Sequence, residues 1–162
     1  MYSKMLVPID GSEPSKLALA EAIKLAQALR SSICLLHVID VRSLLTSEAT
    51  AASYDLLFDM MRREGAQMLR GAASTIPRGV ITVDTILEEA PGGQVGESIA
   101  CTAREHQVDL IICGTHGRRG VRRLLMGSDA EYVVRHSPVP VLLVGMSATV
   151  TEKSTTPIGT AA

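Results

Sequence analysis

The residues with the most chemistry in this chain are a spaced set of glycines closed by a serine: Gly114-Thr115-His116-Gly117, nine residues, then Gly127-Ser128. Glycine leaves main chain bare, so a ligand can approach the backbone with no side chain between them. A strand-like run, Asp109-Leu110-Ile111-Ile112-Cys113, ends directly on Gly114, and a helix-like run begins directly after Ser128. The first N–H groups of a helix have no partner inside it and favour anions. A strand end and a helix start, both bare, therefore predict a cradle for the phosphates of one nucleotide. The set is not a Walker P-loop, because no Lys-Ser or Lys-Thr follows its glycines, and it is not the G-x-G-x-x-G of dinucleotide folds.

Other polar residues each carry a functional and a plainer reading. Ser128 holds a phosphate oxygen or only caps its helix, since Ser128-Asp129-Ala130-Glu131 matches the S-x-x-E capping box. Asp10, in Asp10-Gly11-Ser12, is a ligand to nucleoside or metal, or a turn residue ahead of an N-cap at Ser12. His116 donates to a phosphate or is an exposed loop histidine. Arg118, Arg119, Arg122 and Arg123 hold a triphosphate or a partner's acid, or form a solvated loop, with Arg118 and Arg119 nearest Gly117. Asp129 and Glu131 bind Mg²⁺ through water or answer the helix dipole. His37 reads as a packed strand residue, and His106 and His136 as helix surface.

The elements that must position these residues follow a regular pattern. A continuous apolar run at residues 5–9 predicts a strand covered on both faces, with Pro8 at its end. Ala18, Ala22, Leu25, Ala26 and Leu29 fall at helical spacing, and residues 33–39 predict a second strand, completing a βαβ unit. Residues 42–53 read as a loop or loose helix start, followed by a helix through Leu57, Met61, Met68, Leu69 and Ala72. Residues 80–87 alternate with one polar face, which predicts a strand near a sheet edge, and 88–93 read as a loop. A third helix carries Val95, Ile99, Thr102, Ala103 and His106. The fourth strand ends at Gly114, and the fourth helix runs from Ser128 to a stop at Ser137-Pro138. Val139 to Val144 form the fifth strand. Strict alternation predicts a doubly wound, Rossmann-like α/β domain with a five-stranded parallel sheet and four helices. The domain is expected over residues 1–146, with 147–162 a disordered tail lacking periodicity.

Composition removes several function classes. Sixteen basic against seventeen acidic residues leave no global field for nucleic acid or membrane. One Phe and no Trp are poor material for stacking single-stranded bases. No apolar run approaches the ~18 residues of a membrane span. Three cysteines with no metal-ligand spacing, and a start that leads straight into a strand, predict reduced thiols in a cytoplasmic protein.

The sequence resembles the universal stress proteins, specifically their ATP-binding branch. The likeness rests on Val7-Pro8-Ile9-Asp10-Gly11-Ser12, Leu36-His37-Val38-Ile39-Asp40, residues 109–117, Gly127-Ser128 and the closing 138–144, and it covers roughly residues 2–145. The resemblance implies ATP binding, with Mg²⁺ carried by the nucleotide, and a homodimer formed through the last strand. By position it implies that Pro8, Ile9, Asp10 and Val38 line the adenosine side, with Val38 offering backbone groups to the adenine edge. Cys113, Gly114, His116, Gly117, Arg118, Gly127, Ser128, Asp129 and Ala130 would line the ribose and phosphate side. Two features depart from the pattern: Asp129 stands where an apolar residue is common, and the 88–95 loop is longer. The implied function is an adenine-nucleotide-binding stress-response or signalling module. The alternatives are a slow ATPase or nucleotidyl transferase, and a dimeric scaffold indifferent to nucleotide.

Overall fold

The computed structural model describes residues 2–42, 51–90, 92–115 and 126–145, and the elements assigned among them alternate strand and helix. The order is β1 (Lys4–Pro8), α1 (Glu13–Leu29), β2 (Ser32–Asp40), α2 (Ala51–Ser74), β3 (Val83–Ala90), α3 (Val95–Glu105), β4 (Leu110–Gly114), α4 (Ser128–His136) and β5 (Val141–Val144). The five strands form one parallel sheet in the order β3-β2-β1-β4-β5.

Strand residues alternate between two apolar layers because successive side chains leave opposite faces of the sheet. Met5, Val7, Ile33, Leu35, Leu110 and Ile112 pack against Ala18, Leu19, Ala22 and Ala26 of α1 and Leu69 of α2. Leu6, Cys34, Leu36, Ile111 and Cys113 pack on the other face against Ile99 and Ala103 of α3 and Val133 of α4. Each fully buried aliphatic side chain contributes about 1.5–3 kcal/mol, so the central strands hold the fold. The alanines of α1 let that helix lie close to β1 and β4, as their spacing predicts. All three cysteines are free, and Cys34 and Cys113 lie buried in the second layer, where burial pushes each thiol up to about 11.

The first helix starts as its sequence predicts. Ser12 is the N-cap, its hydroxyl accepting from Ser15 N–H at 3.3 Å, with Pro14 in the first turn. Gly11 has φ 81°, the left-handed region that favours glycine.

The larger departures from expectation fall at the boundaries of three elements. β3 begins at Val83, not 80, and continues to Ala90 through residues expected in a loop. Its ladder with β2 runs from Ile33↔Val83 to Asp40↔Ala90. Glu88 and Glu89 fit a strand here because β3 is a sheet edge with a solvated face, as its polar alternation predicts, and Arg62 of α2 holds Glu89. β5 begins at Val141 rather than Val139, because Ser137 Oγ donates to Val139 O and accepts its N–H, closing a local turn. α2 begins at Ala51, one turn and a half before its apolar stripe. The tail 147–162 and most of the 42–53 segment lie outside the described residues.

Candidate functional site

The order of the strands brings the expected residues to one edge. β1 connects through α1 to β2 on one side, yet its other neighbour is β4, reached only after β3 and α3. The direction of winding reverses between β1 and β4, which is where open α/β sheets form a crevice at their carboxyl ends. Pro8, Ile9 and Asp10 leave the end of β1, and Gly114 ends β4 beside them.

The two halves of the glycine motif meet. Gly127 N–H donates to Thr115 O at 2.9 Å, joining the β4 end to the residue ahead of α4. Gly127 is the N-cap of α4, with φ −63° and ψ 148°. Glu131 N–H returns to Gly127 O at 2.9 Å as the first intrahelical bond. The N–H groups of Ser128, Asp129 and Ala130 therefore have no acceptor within the helix. Gly127's own N–H is committed to Thr115, so three consecutive donors, not four, face the crevice end of α4.

Ser128 is exposed and does not cap α4, and the expected capping box is not formed. Glu131 points down the helix to Arg135, whose Nε lies 3.0 Å from its Oε1. The helix took Gly127 as its cap because the Thr115 bond fixes that residue in extended geometry.

Gly114 is glycine for a reason the sequence alone does not carry. A Cβ there would lie 2.7 Å from Pro14 Cβ and 2.8 Å from Pro14 C, against the first turn of α1. Helix packing, not ligand approach, excludes a side chain at 114. Gly127 is different, since its dihedrals suit any residue.

Asp10 is tied to the α1 start. Its Oδ1 accepts from Ser12 N–H at 2.9 Å and Ser12 Oγ at 2.6 Å, the turn role weighed for it. Ile9 N–H donates to Leu36 O at 2.7 Å, and its side chain lies in the α1-side layer. Ile9 O lies 2.6 Å from His37 Nδ1; a carbonyl only accepts, so that ring nitrogen carries the hydrogen. His37 is the packed strand residue expected, buried against the Gly65 backbone of α2. Cys113 presents only backbone to the crevice, because its side chain is in the α4-side layer.

Val38 sits one step beyond the last β1–β2 bond. Ser32 N–H and Leu36 O bond toward β1, whereas Ile33 N–H bonds toward β3. Alternation then turns the N–H and C=O of Val38 to the flank where β1 has already ended. His116, Gly117, Arg118 and the other three arginines lie outside the described residues.

Sequence reading missed a pair at the β2 end. Arg42 donates from its backbone N–H and from Nε to Asp40 Oδ1, at 3.1 and 3.2 Å. An Asp-x-Arg directly after a strand was the available signal. Among the described residues no group of three or more His, Cys, Asp or Glu could hold a metal ion. No described helix is long and apolar enough to cross a membrane.

Known proteins share this pattern. Residues 1–145 match the model of the Universal stress protein family. Universal stress protein MJ0531 of Methanocaldococcus jannaschii is 30% identical over 145 residues, covering 89% of this chain and 82% of its own. Universal stress protein YxiE of Bacillus subtilis is 31% identical, covering 89% of this chain and 99% of its own. The solved structure of hypothetical protein MJ0577 superposes with a TM-score of 0.79 at 28% identity, over 92% of this chain and 99% of that one. A universal stress protein from Archaeoglobus fulgidus, solved in complex with dAMP, shares the fold at 19% identity and a TM-score of 0.61, over 88% of this chain and 98% of that one.

Proposed function

Since the chain belongs to the universal stress protein family, we propose that it is an ATP-binding stress-response or signalling module whose nucleotide lies across the β1–β4 crevice. The observation that carries this reading is the Gly127–Thr115 bond, which sets a bare helix start beside a strand end at the reversal of winding. In this reading Ser128, Asp129 and Ala130 give their N–H groups to phosphate oxygens, and the Ser128 hydroxyl, not engaged in capping, joins them. Val38 offers N–H and C=O to the adenine edge. Pro8, Ile9 and Asp10 form the wall on the adenosine side. Cys113 and Gly114 contribute main chain, and His116, Gly117 and Arg118 close the phosphate side. Magnesium arrives with the nucleotide. The domain extends over residues 1–146, works in the cytoplasm, and dimerises through Val139 to Val144. The complex of a relative with dAMP is consistent with an adenine nucleotide as the ligand class.

Equilibrium binding of ATP to nucleotide-free protein tests the reading, with Gly127→Val as the blocked variant. Gly127 suits this purpose because its backbone accepts valine without strain. Gly114→Val does not, since Pro14 occupies the space. Saturable ATP binding that Gly127→Val abolishes is the expected result, and no binding by the unmutated protein overturns it.

A further inference from the structure

Two contacts hold Arg42 at the end of β2, on the rim of the crevice. Its guanidinium reaches back to Asp40 at the end of β2, with Nε 3.2 Å from Oδ1 and Nη2 3.4 Å from Oδ2. Its side chain lies across Gly93, where an added Cβ would run into Arg42 Nε, Cδ and Cγ. Gly93 has φ 66° and donates its N–H to Ala90 O at 2.8 Å, so the β3–α3 connection is shaped to receive that side chain. Three residues on, Gly96 packs against the first turn of α4, where an added Cβ would lie 2.9 Å from Asp129 O. Arg42 and Asp129 thus flank one short glycine-bearing segment. The Arg42 pKa is held above its ordinary value, first by the hydrogen bond and charge of Asp40 and then by the charge of Asp129.

Asp129 is a poor neighbour for phosphates. It is a half-buried acid in the same helical turn that presents three N–H groups to an anion. A carboxylate there subtracts from the attraction that the helix start supplies. We propose that Arg42 is a specificity-determining residue of the crevice, the counter-charge to Asp129 that lets this chain admit a polyphosphate tail while keeping an acid in the α4 first turn. This role rests on the nucleotide reading given above. It differs from a direct phosphate clamp, because Arg42 acts on the field at the cradle while it remains anchored to Asp40.

The role follows the net charge at the rim. Asp40 already carries one negative charge against Arg42, so with all three groups present the rim is negative by one. Removing Arg42 makes it more negative, removing Asp129 makes it neutral, and removing both restores the starting balance. Affinity for ATP, measured by calorimetry at low salt, should then weaken about tenfold in Arg42→Gln and tighten about threefold in Asp129→Asn. The double variant Arg42→Gln/Asp129→Asn should return to within about threefold of the unmutated protein. Arg42→Lys, which keeps the charge and loses the planar fork, should stay within about threefold as well. Adenosine, with no phosphate, should bind all of these proteins alike.

A double variant as weak as Arg42→Gln alone overturns the proposal, since the guanidinium would then be needed for something other than balancing Asp129. Equal losses for adenosine and ATP overturn it too, because they mark a structural role. Those results leave nucleotide binding itself intact. Failure of the unmutated protein to bind ATP removes the nucleotide reading and this role together.

Discussion

At the scale of single residues, the two glycines that look equivalent in the sequence have different physical duties. Gly114 is held by α1, so Gly114→Ala should cost about 1–3 kcal/mol of stability through overpacking against Pro14, seen as a lower denaturation midpoint. Gly127→Ala meets no backbone penalty at φ −63°, and its midpoint should stay near that of the parent. A second residue-scale device is Asp109. Burial raises its pKa, but hydrogen bonds from Ser3 N–H and Oγ and from Lys4 N–H outweigh burial and hold the carboxyl below the ordinary 3.8. A folded pKa below the unfolded one means stabilisation that is complete above pH 3.8 and is lost as pH falls through the folded value. Because the carboxylate is partly exposed and screened by solvent, Asp109→Asn should lower stability by only about 0.5–1 kcal/mol near neutral pH and by progressively less under acid, checked by urea unfolding across that range. The meeting of the β4 end with Gly127 was legible at this scale, because a glycine at a strand end and another at a helix start mark two stretches of bare backbone. The duty of Gly114 was not, since the residue that needs its space is a hundred positions away.

Among the elements, helix starts decide where donors point. α1 is capped by the Ser12 side chain, and Ser12→Ala should cost about 1 kcal/mol, a fall in Tm of roughly 2–4 °C by calorimetry. α4 is capped by main chain alone, so Ser128→Ala should leave Tm within about 1 °C of the parent on the scale of that effect. ATP affinity should fall in the same variant if the hydroxyl meets phosphate. The contrast also shows where local pattern misleads. Ser128 to Glu131 spells a capping box, yet the long-range bond from Gly127 to Thr115 fixes the helix start one residue earlier. Strand and helix identities were legible because apolar periodicity is a local property. The extent of β3 was not, because the pairing that carries Glu88 and Glu89 into the ladder comes from β2, fifty residues away.

For the whole molecule, the sheet ends in two different edges. β3 is polar and partly shielded by α2, whereas β5 is four residues of Val and Leu, each half-buried. Ile111 N–H bonds to Pro140 O and Thr115 N–H to Val144 O, so alternation turns the main chain of Val141 and Leu143 away from β4. A strand with outward groups of that kind pairs readily with a second copy. Val141→Pro removes one outward donor without touching the β4 ladder. In the dimer proposed above, this variant should shift the mass toward monomer in light scattering while the circular dichroism spectrum is kept. Class and alternation of the fold were legible from one chain read in order. Neighbour relations across the sheet were not, because periodicity says which face a residue takes and not which strand it lies beside.

The two cysteines in the layer beneath α3 and α4 give the molecule an internal clock. Their sulfurs stay protonated at neutral pH and are walled off by Leu6, Ile111 and Val133, so an alkylating reagent reaches them only when those layers part. Cys101, on the outer surface of α3, is modified without any such parting and serves as the time-zero mark. Because Cys113 belongs to the strand that borders the crevice, a ligand bridging β1 and β4 should slow its modification, and mass spectrometry would read occupancy as delay.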